Sequence, residues 1–213
     1  MQIFAFVGPA RAGKTTASTF LEAECKERGY YTERLSFAGP IKRGCERLGV
    51  TKEKNHDEYR ELAQRWGKVR RERNPDHYIT KLGRSIDRIA RLEVGDYDIL
   101  DAQNRLDCWD ETIIIIDDVR YLNEVKALHA IGAKIVVLHP GDDRIDYTEE
   151  WRQHESEQLA NTICQDEDEL EAFMDAFDGW ELPACHGEQA MEKMIGIFCD
   201  QLWFGSTFPH IHD

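Results

Sequence analysis

Two hydrophobic rhythms alternate along this chain. Residues 2–7, QIFAFV, form a short apolar run that ends at a glycine, the pattern of a buried strand. Residues 14–28 follow with helical spacing, Phe20 and Leu21 on the inner face and Gly29 as a stop. Residues 31–37 read as a second strand and 40–48 as a short helix opened by Pro40. The arginine-rich stretches 57–68 and 75–92 read as two more helices. The strongest strand signal is 112–116, where four isoleucines follow Thr112. A helix over 121–131 ended by Gly132, a strand over 134–138, a helix over 149–159 and a short strand over 161–164 come next. Helices over 167–177 and 188–203 close the series.

Strands that alternate with helices predict a parallel sheet covered on both faces, an α/β protein of three layers. The isoleucine strand has no polar alternation and is expected at the centre of the sheet. Ligands of such sheets bind at the carboxyl ends of the strands. The loop after residue 7, the turn at 117–124 and the stretch 139–147 are all expected on that edge.

The first of these carries the clearest chemistry. Gly8-x-x-x-x-Gly13-Lys14-Thr15 is a complete phosphate-loop (Walker A) pattern, with a strand before it and a helix after it. Gly8 and Gly13 let the backbone turn so that amides of Ala10, Arg11, Ala12, Gly13, Lys14, Thr15 and Thr16 can cradle phosphate. Lys14 is expected to reach the outer phosphates and the Thr15 hydroxyl to ligate Mg²⁺. A carboxylate should serve the same ion from the end of a buried strand, and "IIIIDDVRY" supplies two, Asp117 and Asp118. ATP and Mg²⁺ are therefore the expected cofactors.

Composition adds a contrast. The 213-residue chain has a net charge of −14, which speaks against stable nucleic-acid binding. Yet residues 60–91 hold ten Arg or Lys against four Asp or Glu, a local excess suited to a small phosphorylated acceptor. A solvated helix face paired with acidic residues elsewhere is the alternative for any one of these arginines. Cysteines stand at 25, 45, 108, 164, 185 and 199 with no C-x-x-C pair. With no leader pattern and no run long enough to span a bilayer, a cytoplasmic protein with reduced thiols and no membrane partner is expected. The apolar face Met191, Met194, Ile195, Phe198 and Leu202 reads as core or as a homodimer contact.

An ordered series of motifs goes further. "FVGPARAGKTT", "FAGPIKRGCERLGV", "YRELAQRWG", "NPDHYI", "IIIIDDVRYLNEVKALHAIGAKIVVL", and "HESEQLA" followed by "NTI" occur in that order. Together they resemble the bacteriophage deoxynucleoside monophosphate kinases, over about residues 3 to 177. Residues 95–111 and 180–213 have no counterpart in the resemblance. It implies a single P-loop kinase domain of nucleoside-monophosphate-kinase type. In that reading 1–40 and 112–180 form the core, about 41–95 an acceptor-binding helical region, and 141–157 a small lid, with the helix 188–203 at the end.

The implied reaction moves the γ-phosphoryl group of ATP to a deoxynucleoside monophosphate, giving a diphosphate and ADP in DNA precursor synthesis. The setting would be the host cytoplasm for a phage-encoded chain. The resemblance implies that Arg11 assists the transferred group and that Asp118 and Arg120 form the family's Asp-x-Arg pair, which favours Asp118 over Asp117; a core salt bridge is the alternative for Arg120. Lys42 would bind the acceptor's phosphate, with Ser36 and Phe37 lining its site. Arg60 would contact that phosphate and Gln64 the base. From the lid, Arg144 and Arg152 would reach phosphates on closure, Trp151 would stack on a base or pack, and His154 would face the acceptor. Three alternatives stay open from the residues alone: a P-loop kinase acting on 5-hydroxymethyluracil in DNA, one acting on another small metabolite, or a non-catalytic nucleotide-binding module or ATPase switch.

Overall fold

A computed structural model describes residues 1–92, 112–140, 154–183, 185 and 187–204. Strand β1 (Gln2–Val7) leads through the phosphate loop into helix α1 (Lys14–Glu27), then β2 (Tyr31–Leu35) and α2 (Gly39–Arg47). Helices α3 (His56–Arg73) and α4 (His77–Leu92) follow. Next come β3 (Thr112–Val119), α5 (Leu122–Ala130) and β4 (Lys134–Leu138). Helices α6 (Glu155–Gln165) and α7 (Glu167–Phe177), strand β5 (Trp180–Leu182) and α8 (Glu188–Phe204) complete the described order.

The five strands form one sheet in the order β2-β3-β1-β4-β5, and every pairing is parallel. Strand alternation sorts the core into two layers. Ile3, Ala5, Val7, Ile114, Ile116, Ile135 and Val137 face helices α2, α4, α5, α6 and α7. Phe4, Phe6, Ile113, Ile115, Val136 and Leu138 face α1 and α8. The molecule is thus the three-layer α/β/α P-loop fold expected from the sequence. The centre of the sheet is β1 rather than the isoleucine strand, which lies between β1 and the edge strand β2; all four isoleucines of β3 are still fully buried between the helical layers. Each such burial is worth roughly 1.5–3 kcal/mol.

Several element boundaries differ from the sequence reading. The expected strand at 161–164 lies inside α6. The spacing of the buried residues Glu157, Ala160 and Ile163 is helical, and it overrides the β-branched pair Thr162–Ile163. The last strand is instead Trp180–Leu182, three residues with too little length to show alternation. Helix α6 begins at Glu155 rather than 149, with His154 as its cap; residues 149–153 lie outside the described residues. Strand β2 stops at Leu35 because Ser36–Ala38 turn into α2. Helix α3 runs on to Arg73, past Gly67, which sits against Ile41 and Arg71. The face of α8 read as core or dimer contact packs into the core with α1 through Met191, Ile195 and Phe198. The five described cysteines form no disulfide with one another. No helix among the described residues is long and apolar enough to cross a membrane.

Candidate functional site

The phosphate loop lies where β1 leaves the sheet beside the end of β4. Gly8 passes so close to β4 that a Cβ there would stand 2.6 Å from the Leu138 carbonyl oxygen. Gly13 caps α1 in the left-handed region at φ 94°, where a side chain is strained. Arg11, also left-handed at φ 70°, is exposed on the loop's outer turn. A non-glycine residue held there is a recognised mark of functional loops. Lys14 is buried, and its ammonium donates to the carbonyls of Gly8 at 2.5 Å and Pro9 at 2.7 Å.

That setting lowers the Lys14 pKa to about 8, chiefly by burial and next by the nearby Arg120, while Glu157 and Asp117 pull it back up. The sign follows. The unfolded value is 10.5, so folding disfavours the charged form; the cost is complete below about pH 8 and fades as pH rises toward 10.5. For a phosphate ligand the charged form is the useful one. Nucleotide affinity is expected to fall as pH rises from 7 to 9, with proton uptake on binding. Calorimetry in buffers of different ionisation enthalpy reads both, and affinity flat across this range would remove Lys14 as the phosphate cation.

The two aspartates part company at a bulge. Ala5 pairs with Ile116 but Val7 pairs with Val119, so β3 carries one extra residue at 117–118. Asp117 turns toward α1. Its Oδ2 accepts from Arg34 Nη2 at 2.6 Å and from Ser18 Oγ at 3.3 Å, and Ser18 Oγ also donates to the Thr15 carbonyl at 2.9 Å. Asp118 turns toward α2. Its carboxylate accepts from Ser36 Oγ at 2.6 Å and from the amides of Phe37 and Ala38 at 2.9 Å each. Asp118 therefore holds the turn that opens α2, three residues before the exposed Lys42. Ser18 Oγ thus joins the Thr15 carbonyl to Asp117, and the Thr15 hydroxyl and Asp117 carboxylate are the hard oxygens that would hold Mg²⁺ keeping most of its water.

From the sequence Glu157 was expected only on a polar helix face toward the acceptor, beside His154 and Glu155, and not at the phosphate loop. It is 4% exposed, yet its carboxylate stands at the loop: Oε2 accepts from the Ala10 amide at 2.9 Å and Oε1 accepts from Arg120 Nη1. Its only sequence signal was its place at the end of "HESE". Arg34 was also missed. It lies opposite Ile115 in register, two residues before Asp117 and so on the same face.

Around α3 and α4 the basic residues divide by role. Arg71 is structural: its guanidinium lies over the rings of Tyr78 and Tyr121, at 4.8 and 4.1 Å, and donates to Glu124 at 3.2 Å. Burial drives Glu124 up to about 7, against the pull of the Arg120 amide and Arg71. Arg60 and Gln64 sit half-buried one turn apart on α3. Phe37 is buried in the core, and it is the backbone at this position that meets Asp118. His154 caps α6 by accepting from the Ser156 amide at 3.2 Å. Arg144, Trp151, Arg152 and the lid up to 153 lie outside the described residues. Between α2, α3 and α4 a cavity of about 160 Å³ is lined by Pro40, Ile41, Trp66, Arg70, His77 and Lys81, with Tyr78 behind. His77 there is held below its usual pKa by burial, then by Lys81 and Arg70.

Fold and loop together define a P-loop protein of the three-layer α/β/α class. No family model matches the sequence. No curated protein matches it either. One solved structure that aligns with it is shikimate kinase from Acinetobacter baumannii in complex with shikimate, at 13% identity, 98% of this chain, 96% of that chain and a TM-score of 0.43. A likeness of that strength adds nothing to what the strand order already establishes.

Proposed function

We infer that the chain is an ATP-dependent phosphotransferase whose acceptor is a deoxynucleoside monophosphate. The observation that supports transfer is the set of charges at one loop. Lys14 is held against the loop carbonyls of Gly8 and Pro9, Arg120 is tied to the loop's Ala10 amide through Glu157, and Arg11 is exposed on the loop itself. Phosphoryl transfer spreads charge over equatorial oxygens, and cations preorganised around them stabilise it. The acceptor's 5′-phosphate is already an oxyanion near neutral pH, so no side-chain base is required. Thr15 and Asp117 would hold Mg²⁺, which would supply charge neutralisation at the nucleotide's phosphates. Lys14 and the loop amides would bind the nucleotide, and Arg11 and Arg120 would stand beside the transferred group.

The acceptor half of the reading rests on the motif series and on the basic helical region. Lys42 follows the turn held by Asp118, and Arg60 and Gln64 share a face of α3. The cavity at Trp66 and Arg70 sets an aromatic wall beside three cationic or titratable groups, which suits an anion carrying a planar ring. A chain of net charge −14 makes duplex DNA the weaker acceptor. A cytoplasmic setting belongs to the same reading.

The test is ADP release from ATP and Mg²⁺ with dTMP, dGMP, dCMP, dAMP, 5-hydroxymethylpyrimidine monophosphates, ribonucleotides, shikimate and duplex DNA, with products identified by mass spectrometry. A deoxynucleoside diphosphate from one or a few acceptors is expected. Phosphorylated DNA or shikimate in its place would move the chain to another kinase class. With the acceptor known, Arg60→Ala is expected to raise its KM roughly 30-fold, the loss of one charge-assisted contact, while KM for ATP stays within about 2-fold. Equal effects on the two would move the acceptor site away from α3.

A further inference from the structure

A buried carboxylate is a poor neighbour for a loop that receives phosphate, and Glu157 raises that problem directly. Its two oxygens are committed to different elements. Oε2 takes the Ala10 amide of the phosphate loop, and Oε1 takes Arg120 Nη1 from the end of β3. Its own backbone is fixed in the first turn of α6, which His154 caps and which Ala160 and Ile163 anchor in the core.

Arg120 is held from both ends. Its amide donates to Glu124 Oε2 at 3.0 Å, and its guanidinium is gripped by Glu157. The Arg120 side chain remains 39% exposed, and among the described residues Glu157 is the only carboxylate that pairs with it. Nη1 of the fork is thus anchored while the side chain stays accessible to solvent. The bond from the Ala10 amide to Glu157 sets the pair at the phosphate loop rather than in the remote core.

We propose that Glu157 is a positioning residue for phosphoryl transfer: by bridging Arg120 and the Pro9–Ala10 peptide, it aims the guanidinium at the group held in the phosphate loop. This rests on the phosphotransferase reading above. The pairing also resolves the electrostatic problem, because Arg120 neutralises the carboxylate and Lys14 remains as net positive charge facing the ligand. Placement matters steeply here, since a misplacement of about 1 Å can cost roughly 100-fold in rate.

The experiment compares wild type with Glu157→Gln, Arg120→Lys, Arg120→Gln and the double variant Glu157→Gln/Arg120→Gln. Glu157→Gln keeps the shape and one acceptor but releases the ion pair. It is expected to lower kcat roughly 100-fold with KM for ATP within about 3-fold. The double variant should be no slower than Arg120→Gln alone, because the two residues act as a unit. Arg120→Lys leaves the buried carboxylate paired with a cation, so it tests the fork in a folded protein should Glu157→Gln lose stability; its kcat should fall to a similar degree.

A second measurement needs no acceptor. The affinity for ADP with aluminium fluoride, which imitates the transferring group, should fall at least 10-fold in Glu157→Gln while that for ADP alone changes less than 3-fold. Equal losses for both ligands would make Glu157 a loop scaffold and overturn the proposal, as would additive losses in the double variant. Should wild type bind ADP with aluminium fluoride yet phosphorylate no acceptor, the acceptor reading fails while the fluoride comparison still decides the role of Glu157.

Discussion

Lys14→Ala is expected to lower turnover roughly 1000-fold or more, measured as ADP release at saturating ATP and acceptor. The loss of a single preorganised donor at a reacting oxyanion costs about 100- to 1000-fold, and Lys14 carries a full charge as well as a donor. Its burial raises the stakes. An ammonium shielded from water interacts more strongly with phosphate than an exposed one does. The same shielding lowers its pKa to about 8, which leaves it mostly protonated at neutral pH. The variant should stay folded, because removing a desolvated charge relieves a cost even as the Gly8 and Pro9 carbonyls lose their donor. Circular dichroism checks that point. An unchanged rate in a folded variant would end the assignment of the loop to phosphate.

Gly8→Ala is the second large effect, and its origin is steric. A methyl group there would sit 2.6 Å from the Leu138 carbonyl oxygen, which is backbone of the buried strand β4, paired on both sides and with no room to retreat. The φ of 156° adds strain for any side chain. The expected destabilisation is about 3 kcal/mol, the scale of overpacking in a tight core. For a domain of this size that lowers Tm by roughly 9 °C, with nucleotide binding weakened because β1 and β4 must separate to admit the methyl. Gly29→Ala serves as the control. Its φ is 88° but no atom lies within 4 Å of the added carbon, so only backbone strain of about 1 kcal/mol is expected. Equal urea midpoints for the two variants would show that Leu138 does not confine the loop.

The chemistry legible in the sequence was that written in contiguous residues. The run Gly8 to Thr16 needs only a strand before it and a helix after it to become a cradle, and both were visible as local apolar patterns. The isoleucine strand announced its burial inside the sheet, though not its place beside the edge strand, because a strand buried on both faces cannot alternate. By contrast, "NTI" looked like a strand because Thr and Ile favour extended backbone, and only the helical spacing of Glu157, Ala160 and Ile163 against the core decided otherwise. Strand β5 was too short to show a period at all.

The site's carboxylates show the same division. Side-by-side aspartates at a strand end were visible in the sequence, but their roles depend on a bulge that appears only when β1 and β3 are paired. That bulge sends Asp117 toward α1 and Asp118 toward the turn before α2. Arg71 looked like one more phosphate ligand in a basic stretch, until folding laid it between Tyr78 and Tyr121 and against Glu124. Glu157 is the sharpest case, since 147 positions separate it from the Ala10 amide it accepts from. The sequence by itself determined the layered α/β architecture and the phosphate loop, because both follow from local periodicity and backbone stereochemistry. Tertiary structure alone decided which charges meet at that loop, because an ion pair depends on distance in space, and spacing along the chain does not encode it.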